Sequence, residues 1–189
     1  MNGENEQRKM GNLNESVEVL VLRCQTGDAA AFEELFERFQ PRLRYFLRRL
    51  DQTRTDTDDL LQDIWLIVLR KIMKLRDPTA FPIWLYKIAR NRVYRKSQQK
   101  RWVTPMPQEE LPSPIEDNEL SFGANLANKV HKALTRIQPY HREVLTLYFL
   151  EQMSYESIAE VVGCSLGTVK SRMHYAKQSL RKELERENE

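Results

Sequence analysis

The stretch Ser154–Tyr175, SYESIAEVVGCSLGTVKSRMHY, leaves this chain few ways to fold locally. Ser154 predicts a helix N-cap, because its hydroxyl accepts a hydrogen bond from a backbone N–H that has no helical partner. Ile158, Ala159 and Val162 follow at the spacing that puts apolar groups on one helical face. Gly163 suits the left-handed residue that ends such a helix, and Ser165 suits the cap of the next. Ala159 is small enough for a second helix to cross closely, with Leu166 and Val169 filling the crossing. Thr168, Lys170, Ser171, Arg172, His174 and Tyr175 then face outward, all hydrogen-bond donors and several cationic. Two readings fit. One is a helix-turn-helix whose second helix enters a DNA major groove. The other is a plain helical hairpin with a solvated basic face.

The rest of the chain carries the same helical period. Residues 1–15 are polar and unpatterned, a tail. Helical signals begin near Ser16, and Asp28 caps a helix bearing Phe32, Leu35, Phe36 and Phe39. Pro41 is expected to kink or restart that helix before Leu43, Phe46, Leu47 and Leu50 continue its stripe. In DTDDLLQDIWLIVLRKI, Leu61, Ile64, Val68 and Ile72 form a core stripe, while Asp58 and Asp59 sit in the first turn, where carboxylates suit the helix dipole. Asp59, Gln62, Asp63, Leu66 and Arg70 form a second line. That line is either solvated surface or a protein-docking face.

Residues 75–83 contain two prolines and read as a loop. A basic helix follows, with Lys87, Arg90, Arg92, Arg95, Lys96, Lys100 and Arg101 and no acid. Trp84, Tyr86, Tyr94 and Trp102 interleave with these charges, and rings beside cations suit single-stranded nucleic acid. Core burial of Trp84, Leu85 and Ile88 is the competing use of the same helix. Residues 103–122 hold half of the prolines, five acids and no base, which reads as a linker. Helical spacing returns after Gly123 with Leu126, Val130, Leu134 and Ile137, and Pro139 fits the first turn of one further helix before Ser154.

The expected fold is therefore all-α. Two small helical domains, 16–102 and 123–189, are joined by a flexible acidic, proline-rich linker, and the second contains the helix-turn-helix. The net charge of +3 hides basic runs at 84–102 and 165–182 with an acidic run between, a layout that suits a polyanion. Cys24 and Cys164 lie far apart, with no metal-ligand spacing, which predicts a reduced, cytoplasmic protein. No apolar run reaches membrane-spanning length. His131, His141 and His174 have no paired nucleophile, and no glycine-rich phosphate loop occurs. No catalytic residue, cofactor, metal or small-molecule substrate is expected.

Three stretches in this order, DTDDLLQDIWLIVLRKI, FPIWLYKIARNRVYRK and IQPYHREVLTLYFLEQMSYESIAEVVGCSLGTVKSRMHYAKQSL, resemble sigma-70 family sigma factors of the extracytoplasmic-function group. The resemblance runs from about residue 17 to 183. It implies that 16–102 is sigma region 2 and 123–189 sigma region 4. It implies that Asp58, Asp59, Gln62, Asp63, Leu66 and Arg70 dock on the beta-prime clamp helices of RNA polymerase core, with the beta flap a second contact. Leu75, Asp77, Thr79, Ala80 and Phe81 in the loop, then Trp84, Lys87, Asn91, Tyr94 and Arg95, would recognise and open the −10 element. Ser165, Thr168, Lys170, Ser171, Arg172, His174 and Tyr175 would read the −35 element. The linker would run toward the polymerase active-site channel. The group's habit also implies an anti-sigma protein as a partner.

Some positions depart from the family pattern. Arg95 stands where Asp or Asn is frequent, Pro82 replaces a polar residue, Tyr175 replaces a basic one and Asp63 replaces Glu. Two other functions fit parts of the chain: a stand-alone dimeric DNA-binding regulator, and a scaffold that binds protein alone. The first needs a dimer interface and a signal pocket that the N-terminal half does not offer. The second has no use for segregated basic helices.

Overall fold

The computed structural model describes residues 15–50, 57–103 and 124–186, with side chains of 97–103 and 124–128 left aside. The expected N-terminal tail 1–15, except residue 15, and the expected acidic linker 103–122, except Val103, lie outside the described residues. Among the described residues every regular element is helical. We number them α1 (Val17–Gln25), α2 (Ala29–Leu50), α3 (Thr57–Lys71), α4 (Phe81–Val103), α5 (Ala124–Arg136), α6 (Pro139–Phe149), α7 (Tyr155–Val162) and α8 (Leu166–Arg186), with short 3₁₀ turns at Ile72–Lys74 and Pro78–Ala80.

Caps start these helices where their chemistry allows. The Ser16 hydroxyl accepts from the Val19 N–H, and the Asp28 carboxylate accepts from Ala30 and Ala31 at the head of α2. A cap of this kind contributes about 1 kcal/mol. Arg23 donates to Asp28 at 2.7 Å and also meets Glu15, closing the α1–α2 turn.

α2 runs unbroken from Ala29 to Leu50 with Pro41 inside it, so the expected restart does not occur. An interior proline costs about 3 kcal/mol through its lost hydrogen bond and ring clash. Leu35, Phe39, Leu43, Phe46, Leu47 and Leu50 are all buried, spanning both sides of Pro41. Burying each such side chain contributes about 1.5–3 kcal/mol, which outweighs the proline.

α1–α4 enclose the larger part of the hydrophobic core. Phe39 meets Phe81 edge-on at 5.4 Å, Phe46 meets Tyr86 at 5.1 Å, and Trp65 sits between Phe32 and Phe36 at 5.9 and 5.0 Å. Gln25 donates from Nε2 to the carbonyls of Ile72 and Leu75, at 2.9 and 2.8 Å, tying the end of α1 to the turn after α3. The turn is shorter than expected, because α4 begins at Phe81 with Pro82 in its first turn, where a missing N–H costs nothing.

α5–α8 supply the rest of this buried cluster, with Leu134, Ile137, Val144, Leu145, Leu147, Ile158, Val162, Val169 and Met173 buried. The two units also pack on one another, α2 on α6 and α4 on α7. No sequence signal announced that contact.

Candidate polymerase and nucleic-acid interfaces

Once Leu61, Ile64, Val68 and Ile72 of α3 are turned inward, the neighbouring line must face out. Asp58, Asp59, Gln62, Leu66 and Arg70 are exposed. Leu69 and Met73 join them at 53% and 58% exposure, more open than Leu66 at 42%. Sequence reasoning missed these two. The signal was available, since Leu69 and Met73 fall three and seven residues after Leu66 and outside the core stripe. Asp63 differs from its neighbours. It is half-buried and accepts two hydrogen bonds from Arg92 of α4, at 3.1 and 2.6 Å, so it ties α3 to α4. Asp58 is held by Arg44 at 2.5 Å.

The loop after α3 is shaped by its own polar groups. Asp77 accepts from the Thr79 hydroxyl at 2.6 Å and the Thr79 N–H at 3.0 Å, and these bonds hold its carboxyl below the usual carboxylate range. Lys71, Lys74, Leu75, Arg76 and Trp84 line a recess beside it. Leu75 and Trp84 are thus brought together with three cations that sequence reasoning did not single out. Asp77 and Thr79 are exposed and Ala80 half-buried. Phe81 is a correction: it is fully buried against Phe39 and presents no side chain to a ligand. Its position at the first turn of α4, one helical turn before Leu85, puts it on the core stripe.

Along α4, Lys87, Asn91 and Arg95 are exposed, whereas Leu85, Tyr86, Ala89 and Val93 are buried. Tyr86 therefore does not offer a stacking surface, contrary to the sequence reading. Burial and the nearby Glu151 push its hydroxyl pKa far up. Tyr94 is half-buried beneath Arg90, whose guanidinium lies 4.5 Å from the ring. Lys100, Arg101 and Trp102 lie outside the described side chains.

The helix-turn-helix follows its sequence closely. The Ser154 hydroxyl accepts from Ser157 N–H at 3.1 Å, Gly163 takes φ 69°, ψ 43°, and the Ser165 hydroxyl accepts from Thr168 N–H at 3.2 Å. Only a residue without Cβ adopts that left-handed conformation at no steric cost. Val169, Met173 and Ala176 of α8 are buried at 0–2% exposure. Ser165, Lys170, Ser171, His174 and Tyr175 are exposed, and Thr168 and Arg172 half-exposed. Arg172 leans over the Tyr140 ring at 5.7 Å, on the α6 side of the helix.

His141 at the head of α6 lies in this unit with 9% exposure, and its Nδ1 has no hydrogen-bond partner. Burial, then the Arg172 charge, hold its pKa below the ordinary histidine value. The unfolded chain therefore binds more protons than the folded one as pH falls below about 6.5. The His141 contribution to the stability of α5–α8 is full above that value and is lost as pH drops through the folded pKa. Burial raises the Glu143 and Glu151 carboxyls, which act with the opposite sign, so the His141 share is read by difference: urea midpoints measured from pH 7.5 to 5 should fall less, or rise more, in His141→Gln than in the wild type.

Comparison with known families decides among the readings of these surfaces. The profile of Sigma-70 region 2 matches residues 35–103, and that of Sigma-70, region 4 matches residues 127–180. The chain belongs to the sigma-70 family. An ECF RNA polymerase sigma-E factor of Haemophilus influenzae is 30% identical over 184 residues, covering 89% of this chain and 95% of the relative. The RNA polymerase sigma factor CarQ of Myxococcus xanthus is 32% identical over 160 residues, covering 84% and 92%. Among solved structures, the Bartonella quintana sigma factor RpoE in complex with the anti-sigma factor NepR superposes with a TM-score of 0.67 at 25% identity, covering 82% of this chain and 96% of that one. CnrH, in its complex with the cytosolic domain of CnrY, shares the fold at a TM-score of 0.64 and 24% identity, covering 90% and 98%.

This sigma factor, of the extracytoplasmic-function group, binds RNA polymerase core and recognises promoter DNA. Among its described residues no helix is long and apolar enough to cross a membrane.

Proposed function

We propose that the surfaces divide the work of initiation as follows. Asp58, Asp59, Gln62, Leu66 and Arg70 dock on the clamp helices of core, with Leu69 and Met73 supplying the apolar part of the contact. Asp63 serves that face indirectly, by fixing α3 against α4 through Arg92. The loop with Leu75, Asp77, Thr79 and Ala80, backed by Trp84, receives a base from the −10 element, while Lys87, Asn91, Tyr94 and Arg95 follow the opened strand. Ser165, Thr168, Lys170, Ser171, Arg172, His174 and Tyr175 address the −35 element, and the C-terminal unit meets the beta flap. Residues 16–102 and 123–189 act as regions 2 and 4, with 103–122 between them. The protein works in the cytoplasm, the polymerase supplies the chemistry of RNA synthesis, and an anti-sigma protein is a further partner.

The observation that carries this reading is the two-sidedness of α8. Val169 and Met173 are buried in the core, which leaves Lys170, Ser171, His174 and Tyr175 together on the open side. Run-off transcription with purified core on a genomic fragment library tests it. Lys170→Ala removes a long donor that reaches base edges or phosphates, and a lost base contact costs about 1–3 kcal/mol. Promoter use should fall roughly fivefold to a hundredfold at promoters whose −35 contact is lost. Unchanged use of every promoter would mean that α8 is phased otherwise.

A further inference from the structure

A recess of about 430 Å³ lies between the head of α6 and the outer side of α8. Every side chain in its lining carries a nitrogen or oxygen able to donate a hydrogen bond, and none is acidic. Tyr140 and His141 form the α6 wall, and Arg172 and Lys182 bring two cations from α8. Thr168, Ser171 and Tyr175 line it too, so the recess is continuous with the proposed −35 face.

Its electrostatics are one-sided. Among the described residues no carboxylate forms an ion pair with Arg172 or Lys182. Gln138 gives α6 no side-chain cap, so the partial positive charge of that helix start is open beside Tyr140 and His141. His141 is 9% exposed with Nδ1 unpartnered, and burial, then the Arg172 charge, keep its pKa low. A neutral imidazole beside a guanidinium marks a site short of negative charge. Donors without acceptors, fixed cations and an open helix start are the chemistry that holds phosphate.

Position decides which phosphate. Lys182 lies about 18 Å beyond Lys170 along α8, whereas the major groove is about 12 Å wide. With Lys170 at the base edges, Lys182 falls past the groove and meets backbone. We propose that this recess seats the DNA backbone just outside the −35 element, with Arg172 and the Tyr140 hydroxyl nearer the groove and Lys182 on a phosphate further out. The DNA assignment rests on the −35 reading; the preference for an anion rests on the lining alone. Such contacts read no sequence. They set the register in which Lys170, Ser171, His174 and Tyr175 meet the bases.

Holoenzyme, the full chain on purified core, tests this on a promoter recovered by the run-off screen. Single phosphates across and just outside the −35 element are replaced, one at a time, by uncharged methylphosphonate. In the wild type one position outside the element should weaken binding roughly tenfold, the effect of one charge-assisted bond. Lys182→Ala should weaken binding by a similar factor and lower the slope of log affinity against log salt by about 0.9. It should also abolish the further effect of that one methylphosphonate, and Lys182→Arg should restore all three. Tyr140→Phe should couple in the same way, more weakly, to a phosphate nearer the element. Both side chains are exposed, so neither change reaches the core. If every methylphosphonate kept its wild-type effect in Lys182→Ala, Lys182 would touch no phosphate and the proposal would fall.

Lys170→Ala separates this claim from the one beneath it, because it should relax base preference at one −35 position. Relaxed preference with no phosphate coupled to Lys182 would overturn the recess and leave the −35 reading standing. A coupled phosphate with base preference unmoved would keep the recess and sink the phasing of α8. Inorganic phosphate, titrated into the free full chain and followed by the His141 ring resonances, distinguishes DNA from a free anion. No shift is expected; binding tighter than about 1 mM would assign the recess to a free anion and overturn the DNA claim.

Discussion

Val169→Asp should unfold the C-terminal unit while Lys170→Ala, one residue away, should leave its stability untouched. Val169 is 0% exposed within the apolar cluster that contains Val144, Leu145, Ile158, Val162 and Met173. A carboxylate there either stays charged without water or takes up a proton, and both cost free energy. The loss should be roughly 4 kcal/mol or more, a large share of the stability of any small domain. Urea unfolding followed by far-ultraviolet circular dichroism should show α5–α8 melting well before α1–α4. Promoter-directed transcription should vanish with it. An unchanged melting profile would place residue 169 outside the crossing and undo the assignment of faces on α8.

Leu66→Arg together with Leu69→Glu should abolish binding to RNA polymerase core without loss of helix. Both leucines are open to solvent, so the change removes nothing from the interior. Apolar side chains at the centre of a docking face are where truncation costs 2 kcal/mol or more, so affinity should fall by at least about thirtyfold. Asp63→Arg is a poorer probe of the same face. It would set two cations together where Arg92 now donates to Asp63 at 2.6 Å, disturbing α3 against α4 as well as docking. Binding of the double variant to purified core at wild-type strength, with normal dichroism, would show that α3 is not the docking helix.

How much of this was legible in advance differs by element. The helix-turn-helix could be read almost residue by residue, because Ser154, Gly163 and Ser165 each have one local job that few other residues perform. α3 was legible in its core stripe and half legible in its outer face. Charged residues announce a surface, whereas exposed Leu69 and Met73 look like core until a neighbour is known to be missing. α4 was the hardest. Tyr86 and Tyr94 carry the same chemistry in the sequence, yet one is sealed under Phe46 and the other lies beneath Arg90. Aromatic residues among cations do not declare which way they point when a helix has a core on more than one side. Pro41 misled for a related reason, since a local cost was judged without the burial that tertiary packing adds on either side. The docking of α4 on α6 and α7 left no trace, because Glu143 and Glu160 look like ordinary solvated acids until Arg90 and Lys87 are seen opposite them.

The Gln25 side chain grips the Ile72 and Leu75 carbonyls at either end of the segment that leads into the recess by Trp84. One amide, carried on the first helix, therefore sets the posture of a loop fifty residues downstream. On the proposed reading of that loop, promoter preference would shift through changes that never touch a base. A population under selection for a new target could reach it by altering the seat of the loop and leaving its tip alone. On the same proposed reading, Gln25 and its neighbours on α1 would be a place where regulatory range diversifies while the proposed docking face stays constant.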